Sequence, residues 1–473
     1  MKITFIGHAS ILVEMGSVTV LSDPWWRGPC FGAQWWNYPE PHLEALKDCR
    51  IDYIYISHGH HDHFHPGTLR TLSRDSKVII SRGTSLASPV RELGFEVVEL
   101  GDEDVFEPGP EGVSIRVMGT YSDDTLMTIT DGREVCLNLN DALHAAPEAV
   151  QADFVARLKK LFPRIEYVFC GYGVASHFPN CYVIPGKDRE ATAANRQRYF
   201  NRQWAKLMAE LEPAFGFPFA ADVVFLEEEL FWANEPTHNT ERPTDAFKSL
   251  NPESPVTTID IAPGFAIQNG DVLRESFRKP VSEASLRTTL QDKIARANRY
   301  GRVSEMAVKE VAGLIQKNLE MCASYLHSYE GNYRFLIRFR NSQYGIWIEK
   351  QGRNVISVVI ALDAAHMPEY DVSYTTRLPY LKWSLTEPFG DEILFVGSGG
   401  IFEYKDQLKA GENLHRELAE LLRRRDGPPR PRYGKSSKVV HNAKQAIKQL
   451  IGRRDQDLYS LATWTVFKDD QVR

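Results

Sequence analysis

Residues 53–63 read YIYISHGHHDH, a short apolar strand pattern that ends directly at a cluster of metal-binding side chains. The cluster fits the motif H-x-H-x-D-H. His58 and His60 occupy alternate positions and can point the same way from an extended turn, so their imidazoles can hold one metal ion. Asp62 and His63 follow in a tighter turn and face a second ion. These ligands suit zinc, iron or manganese, since the motif contains no thiolate that would favour zinc. The alternative is an exposed histidine-rich loop that binds nothing.

Two carboxylates at the ends of other predicted strands could complete the site. Asp141 follows the predicted strand Glu134–Leu139, where its two oxygens could bridge two metal ions, although Asn-Asp is also a common turn dipeptide. Asp23 follows the predicted strand Val18–Ser22 and either orients a metal-bound histidine or caps a turn before Pro24. Polar side chains at the ends of strands predict an α/β layered fold with a site along that edge.

The composition is that of a soluble globular enzyme. The chain has 473 residues, of which 43% are hydrophobic and 25% charged, and the length suggests two or three domains. A net charge of −6 gives no overall attraction to nucleic acid or acidic membranes. The scattered cysteines form no C-x-x-C pair and predict a reducing compartment. No apolar run reaches the roughly 20 residues that span a bilayer, and the N-terminus reads as a strand rather than a signal peptide, so we expect a cytoplasmic protein.

Three consecutive regions are predicted along the chain. Residues 1–275 form the metal-binding domain, residues 276–425 a C-terminal α+β domain, and residues 426–473 a basic linker and tail, more typical of a solvated segment than of a phosphate-binding one. The predicted strands are Ile3–Val13, Val18–Ser22, Asp52–Ser57, Lys77–Ser81, Glu96–Leu100, Val113–Met118, Thr125–Thr130, Glu134–Leu139 and a hairpin at Tyr333–Val359 that turns at Asn341-Ser342. Helices are predicted at Pro66–Ser73, Ala193–Leu211 and within Ser282–Leu326.

Several stretches together resemble the metallo-β-lactamase superfamily. They are GHASILVE at 7–14, LSDPWWRGPCFGAQWW at 21–36 and YISHGHHDH at 55–63. Within the superfamily they are most similar to the branch that contains cytidine monophosphate-N-acetylneuraminate hydroxylase, as are FCGYGVASHFPNCY at 169–182 and PAFGFPFAADVVF at 213–225. The resemblance covers residues 1–275 and continues more loosely towards residue 425. It implies an αββα sandwich with an additional C-terminal α+β domain.

The chain departs from the superfamily pattern at two positions. Superfamily hydrolases supply one more histidine where this chain has Tyr121, and a last histidine where it has Ala220. The ordinary dizinc ligand set is therefore incomplete. Replacement ligands could come from Asp123, Asp124, His177, Glu227, Glu228 or His238.

The remaining ligands carry a chemical consequence. His58, His60 and Asp141 are left for one metal ion, which is the two-histidine, one-carboxylate set of non-haem Fe(II) oxygenases. Asp62 and His63, with a shared Asp141, are left for a second ion. The resemblance therefore implies two divalent metal ions, with iron favoured and zinc or manganese as alternatives.

A hydroxylase of the sialic acid type carries a Rieske iron–sulfur domain ahead of its lactamase-like region. Such a domain needs C-x-H and C-x-x-H pairs, and this sequence contains neither. Oxygen chemistry would therefore take its electrons from a separate donor protein, from the substrate, or from an externally reduced diiron centre.

Two enzymatic functions compete. The first is an oxygenase or hydroxylase acting on a small polar or nucleotide-sugar-like substrate, with Asp62, Tyr121 and His177 as candidate catalytic residues. The second is a hydrolase in which zinc or manganese lowers the pKa of a water molecule to about 7 for attack on an ester, lactone or phosphodiester. A metal-binding module without catalysis is a third possibility. His61 and His65, off the motif, are expected in supporting or exposed positions.

An aromatic loop precedes the motif and could bind the substrate. Trp25, Trp26, Trp35 and Trp36 could stack on a flat or sugar-like molecule, and Arg27 could meet an anionic group. The alternative is a hydrophobic lid that packs a domain interface.

Overall fold

The chain divides into two compact units. The first comprises Met1–Val174, Arg196–Leu226 and Asn234–Thr289, and all other segments belong to the second. The first unit thus runs beyond the boundary expected at residue 275 and omits two short internal segments. Residues 428–473, most of the basic tail, lie outside the described residues. The computed structural model describes residues 1–109, 112–120, 124–173, 176–221, 223–323, 331–362, 367–407 and 414–427.

Most strands belong to the first unit. They are β1 (Lys2–Gly7), β2 (Ser10–Met15), β3 (Val18–Ser22), β4 (Trp35–Asn37), β5 (Tyr53–Tyr55), β6 (Lys77–Ser81), β7 (Glu96–Leu100), β8 (Ser114–Gly119), β9 (Thr125–Thr130), β10 (Val135–Asn140), β11 (Tyr167–Gly171), β13 (Phe215–Phe219), β14 (Val223–Phe225), β15 (Thr257–Thr258), β16 (Ala266–Gln268) and β17 (Asp271–Arg274). One sheet has the order β17-β16-β1-β2-β3-β5-β6-β7 and the other β15-β13-β11-β10-β9-β8, while β4 pairs with β14.

The helices differ in length between the two sheets. They are α1 (Pro66–Leu69), α2 (Ala87–Glu92), α3 (Glu148–Leu161), α4 (Arg189–Leu211), α5 (Asn234–Asn239), α6 (Pro243–Leu250), α7 (Glu283–Thr289), α8 (Gln291–Ala297), α9 (Glu305–Met321), α10 (Leu378–Thr386), α11 (Glu392–Phe395) and α12 (Leu414–Leu421). The helices that pack on the first sheet, α1 and α2, are shorter than α3 and α4, which pack on the second sheet. No helix within the described ranges has both the length and the apolar composition to cross a membrane.

Alternation of side chains along the strands builds the layers of the first unit. Inner faces of both sheets, with residues such as Phe5 and Phe169, share one apolar core. The opposite face of the first sheet, at Ile54, packs with residues of α1 and α2. That of the second sheet, at Val168, packs with residues of α3 and α4 such as Trp204. The order helix, sheet, sheet, helix confirms the αββα sandwich.

Strand direction brings distant residues to one edge of the first sheet. β1 and β3 are both antiparallel to β2, and β3 is parallel to β5. The C-terminal ends of these three strands therefore meet, and they lead into His8, Asp23 and His58. The single strand predicted at Ile3–Val13 is wrong, because His8 adopts a left-handed φ of 48° and a turn separates β1 from β2.

The second unit contains a mixed sheet. Its strands are β12 (Tyr182–Val183), β18 (Tyr333–Phe339), β19 (Tyr344–Gln351), β20 (Asn354–Ala361), β21 (Val372–Thr376) and β22 (Gly400–Tyr404), in the order β12-β22-β21-β18-β19-β20. The hairpin predicted at Tyr333–Val359 is confirmed as β18 and β19, with Asn341 in the left-handed region at its turn. β20 extends it by a third strand. This sheet with α9 confirms an additional C-terminal α+β fold.

Candidate metal centre

The H-x-H-x-D-H motif occupies the turn between β5 and α1. The carbonyl of His60 accepts hydrogen bonds from the amides of His63 (3.0 Å) and Phe64 (2.8 Å), which closes a tight turn. His65 then caps α1 by accepting a hydrogen bond from the Thr68 amide, and a proline occupies the first turn of that helix. The local sequence therefore ends the strand, turns the chain and starts a helix within a few residues.

All five predicted metal ligands come together at this turn. His58 Nε2 lies 2.8 Å from His60 Nδ1. His63 Nε2 lies 3.4 Å from Asp62 Oδ2 and 3.5 Å from Asp141 Oδ2. Two atoms that bind one ion at about 2.1 Å, with angles between 90° and 109°, are about 3.0–3.4 Å apart. Most of these spacings are thus near those of atoms sharing a metal ion.

A buried carboxylate behind the motif holds two of the histidines. Asp23 is 0% exposed and accepts hydrogen bonds from the amide (2.8 Å) and the hydroxyl (2.7 Å) of Ser57. Its Oδ2 lies 3.1 Å from His63 Nδ1 and also accepts from the Asn140 side chain. Ser57 Oγ in turn lies 3.0 Å from His58 Nδ1. These contacts direct the Nε2 atoms towards the cluster.

Several buried polar atoms of this cluster lack a hydrogen-bond partner among the described residues. They include Asp62 Oδ1, His63 Nε2, Asp141 Oδ1 and His8 Nδ1. Each such atom costs about 1–3 kcal/mol when it is left unsatisfied. A concentration of them at one place indicates a missing partner such as an ion or water. Because the atoms are imidazole nitrogens and carboxylate oxygens, the residues fit a divalent metal ion.

The pKa shifts in the cluster also fit a bound cation. Burial raises the pKa of Asp141, but the charge and hydrogen bond of His63, together with the nearby His58 and His144, outweigh it and lower that pKa to about 2. Burial lowers the pKa of His63, whereas Asp62 and Asp141 raise it well above its ordinary value. Burial and the neighbouring His58 lower the pKa of His60 to about 4. The carboxylates thus hold a positive charge at His63, which a metal ion would supply in place of a proton.

Of the two positions that lack the superfamily histidine, the structure describes only Ala220. Tyr121 and Asp123 lie outside the described residues. Asp124 is described, and its Oδ1 lies 3.7 Å from His58 Nε2. Ala220 is buried with a φ of 55°, and its amide donates to the carbonyl of His8 (2.9 Å).

His8 is a functional candidate that the sequence reasoning missed. Its Nε2 lies 3.1 Å from Asp62 Oδ2, and both side chains are buried. Together with His63 they form a group that could hold an ion. A polar histidine that interrupts the apolar stretch at the end of the first strand was the available signal.

Other suggested replacement ligands are engaged elsewhere. His238 lies in the first unit, where its Nε2 donates to the Val223 carbonyl (2.8 Å) and its Nδ1 accepts from Arg278 (3.0 Å), so both ring nitrogens are used. His177 and Glu227 belong to the second unit. There His177 Nδ1 donates to the Phe395 carbonyl at 2.8 Å.

Glu227 is part of a buried ion cluster in the second unit. Its carboxylate oxygens lie 2.7 Å from Arg340 and 2.9 Å from Arg377, and the hydroxyl of Tyr380 donates to it. Glu228 belongs to the same unit.

The catalytic role suggested for His177 stays a prediction.

The aromatic loop is buried in part. Trp25 and Trp35 are buried, which at these two positions favours the packing alternative over stacking on a substrate. Trp26 and Trp36 are half-buried and Arg27 is exposed. Substrate binding by this loop stays a prediction, and the three more accessible residues are the ones to test.

Part of the chain is similar in sequence to known proteins. Residues 2–142 match the family model described as a beta-lactamase superfamily domain. The chain is 29% identical over 251 residues to a putative Rieske 2Fe-2S iron-sulfur protein of Mycolicibacterium smegmatis, covering 49% of this chain and 45% of that protein. It is 27% identical over 286 residues to cytidine monophosphate-N-acetylneuraminic acid hydroxylase of Gorilla gorilla gorilla, covering 58% of this chain and 46% of that protein. The chain thus spans less than half the length of these relatives.

Solved structures with similar folds include hydrolases and a hydroxylase. A metallo hydrolase of Ignicoccus hospitalis has a TM-score of 0.39 and 16% identity, over 56% of this chain and 97% of the other. CmlA β-hydroxylase has a TM-score of 0.40 and 19% identity, over 56% of this chain and 53% of the other. The family match and the αββα layers identify the fold of the first unit as the metallo-β-lactamase fold, as the resemblance implied.

Proposed function

We propose that this chain, whose residues 2–142 match the family model of a beta-lactamase superfamily domain, is a metal-dependent oxygenase. It would use two divalent metal ions, with iron favoured, to hydroxylate or otherwise oxidise a small polar or nucleotide-sugar-like substrate. The observation that carries the proposal is the donor set. Two histidines and a carboxylate, His58, His60 and Asp141, would hold one ion, which is the arrangement of non-haem Fe(II) oxygenases. His60 Nδ1 lies 2.8 Å from His58 Nε2, and the donor atoms of His58, His63 and Asp141 lie within 4.8 Å of one another.

The carboxylates support iron over an ordinary dizinc centre. Asp62, Asp124 and Asp141 all lie within 4 Å of a motif histidine, so carboxylates supply a large part of the donor set. Mixed imidazole and carboxylate ligands with open positions are typical of iron oxygenases. The similarity to proteins named cytidine monophosphate-N-acetylneuraminic acid hydroxylase supports the same class.

The residues of this chain would contribute binding and orientation. Bound iron would supply the activation of dioxygen. Asp23 and Ser57 would hold the imidazole of His63 in one orientation, and Asp62 and Asp141 would neutralise the added positive charge. A separate electron-donor protein is the proposed partner, which the relatives named as putative Rieske proteins support.

The alternative is a zinc- or manganese-dependent hydrolase of an ester, lactone or phosphodiester. The unpartnered Asp62 Oδ1, buried beside the histidines, is the observation that favours it, since such an oxygen can accept a hydrogen bond from an attacking water molecule.

The experiment that separates these functions measures which metal the protein binds and whether the loaded protein reacts with oxygen or hydrolyses esters. The protein is purified without oxygen and loaded with Fe(II), Zn(II) or Mn(II), and metal per chain is measured. We expect two Fe(II) ions per chain, and a ferric absorption band when the loaded protein meets oxygen. Binding of zinc alone, with hydrolysis of an ester or lactone panel, would establish the hydrolase instead.

Site variants connect that result to the assigned residues. His58→Ala and Asp141→Ala each remove a proposed ligand, so each should lose bound metal. His65→Ala is the matched control, because His65 caps α1 through the Thr68 amide and should cost about 1 kcal/mol of stability without loss of metal. Full metal content in the first two variants would overturn the assignment.

A further inference from the structure

We propose that His8 is a ligand of the second metal ion and takes the place of the superfamily histidine that Ala220 replaces. The inference rests on the proposed metal centre and adds a residue to it. His8 lies outside the H-x-H-x-D-H motif and reaches the cluster from the end of β1.

The spacing of donor atoms supports coordination. His8 Nε2 lies 3.1 Å from Asp62 Oδ2, and the same oxygen lies 3.4 Å from His63 Nε2. Both values fall within the range of about 3.0–3.4 Å expected for atoms that share one ion. The three residues offer ligand atoms that all lie within 4.8 Å of one another. A single ion can therefore contact all three.

The backbone explains how this histidine reaches the site. The amide of Ala220 donates to the His8 carbonyl at 2.9 Å, so the position of the missing histidine adjoins His8 directly. Both residues have a left-handed φ, 48° at His8 and 55° at Ala220. Such backbone is uncommon for residues other than glycine and is concentrated at functional sites. An imidazole attached at residue 8 would therefore start from nearly the same place as one attached at residue 220.

The environment of the ring also fits a ligand. His8 is 2% exposed and packs edge-to-face against the Trp25 ring at 5.2 Å. The carboxylate of Asp62 and the ring of His63 also lie beside it. The alternative role is positioning, in which His8 only donates a hydrogen bond to Asp62. Coordination and positioning make different predictions for substitution at residue 8.

The first test compares metal content in His8→Gln and in the wild-type protein. Glutamine keeps an amide that can donate to Asp62 but removes the imidazole. We expect two ions per chain in the wild type and one in H8Q after dialysis against a weak chelator. His61→Gln is the matched control, since His61 stacks on Phe31 at 5.1 Å and should keep both ions.

The outcomes separate this inference from the proposed function. Two ions in both H8Q and the wild type would overturn the role of His8 and leave the metal centre intact. One ion in the wild type would overturn the second site. No ion in the wild type would overturn the metal centre itself.

A second variant gives a positive signal that depends on coordination. In His8→Cys loaded with Co(II), a thiolate at position 8 that binds the ion produces a sulfur-to-cobalt charge-transfer band, because thiolates are soft ligands. We expect this band in folded H8C and not in the wild type, whose nearby Cys30 donates its thiol to the His61 carbonyl. A folded, cobalt-loaded H8C without the band would overturn the inference even if H8Q fails to fold.

Discussion

Asp23 connects the residues of the candidate metal centre to the fold. The sequence left two roles open for it, the capping of a turn and the orientation of a metal-bound histidine. In the structure its carboxylate accepts from the Ser57 amide and lies 3.1 Å from His63 Nδ1. The contact with the histidine is one that the second role requires. Ser57 and Asn140, which also bind Asp23, were not foreseen, because serine and asparagine beside a strand end are ordinary turn residues.

Gly171 is a residue whose lack of a side chain the site requires. A Cβ placed there would lie 2.9 Å from the Asn140 carbonyl oxygen and 3.0 Å from Asp141 Oδ1. Gly171→Ala should therefore displace the Asp141 carboxylate and lower metal content to below half of the wild-type value, as measured by elemental analysis of the folded protein. Gly313→Ala is the control, because Gly313 lies in α9 with open space around it and alanine favours a helix. Unchanged metal content in G171A would contradict the placement of Asp141.

Among the secondary-structure elements, the bounds of strands were predicted more accurately than the ends of helices. β6, β7 and β9 begin and end where the apolar patterns predicted, since alternation and β-branched residues report directly on a strand. α1 is a turn shorter at its end than the predicted Pro66–Ser73, and α4 starts at Arg189 rather than residue 193. Helix ends depend on local capping and on packing that periodicity does not contain.

Helix α4 is anchored to the second sheet by Trp204. Its side chain is fully buried and belongs to the apolar cluster that contains Leu158 of α3 and Val168 of β11. Trp204→Ala should lower the free energy of unfolding by about 3–5 kcal/mol, because it leaves a cavity in that layer. Denaturant unfolding measures the change. Lys206→Ala, two residues along the helix, removes only surface ion pairs, with Glu148 and Glu210, and should cost less than about 1 kcal/mol. Equal effects would contradict the packing described.

On the scale of the whole molecule, the division into units could not be predicted from the sequence. The boundary at residue 275 was placed by a change in pattern along the chain. In the structure, β12 (Tyr182–Val183) lies before that boundary in the chain but belongs to the sheet of the second unit. It pairs with β22, so Tyr182 lies opposite Phe402. A pairing across 220 residues leaves no local signal.

The pH dependence of stability should report on His238. Burial, and then the charge of Arg278, lower its pKa well below 6.5. The unfolded chain therefore binds a proton below about pH 6.5 that the folded chain does not, and stability falls as the pH falls from 7 towards 5. His238→Gln should flatten this slope by up to about 1.4 kcal/mol per pH unit. Urea unfolding of both proteins with a chelator at several pH values measures it, and parallel curves would contradict the prediction.

From the residues alone, the strand patterns predicted an α/β layered fold and the motif spacing predicted His58, His60, Asp62 and His63 as metal ligands, because periodicity and spacing are properties of neighbours along the chain. The αββα sandwich followed from the resemblance to the superfamily and is confirmed, whereas the ligand roles stay predictions. The tertiary structure is what places His8 and Asp23 beside those residues and Ala220 beside His8. They are brought there by the order and direction of β1, β3, β5 and β13, which no short stretch of sequence encodes. His8 and Ala220 are more than 200 positions apart along the chain, yet the packing of the two sheets places them within hydrogen-bonding distance of each other.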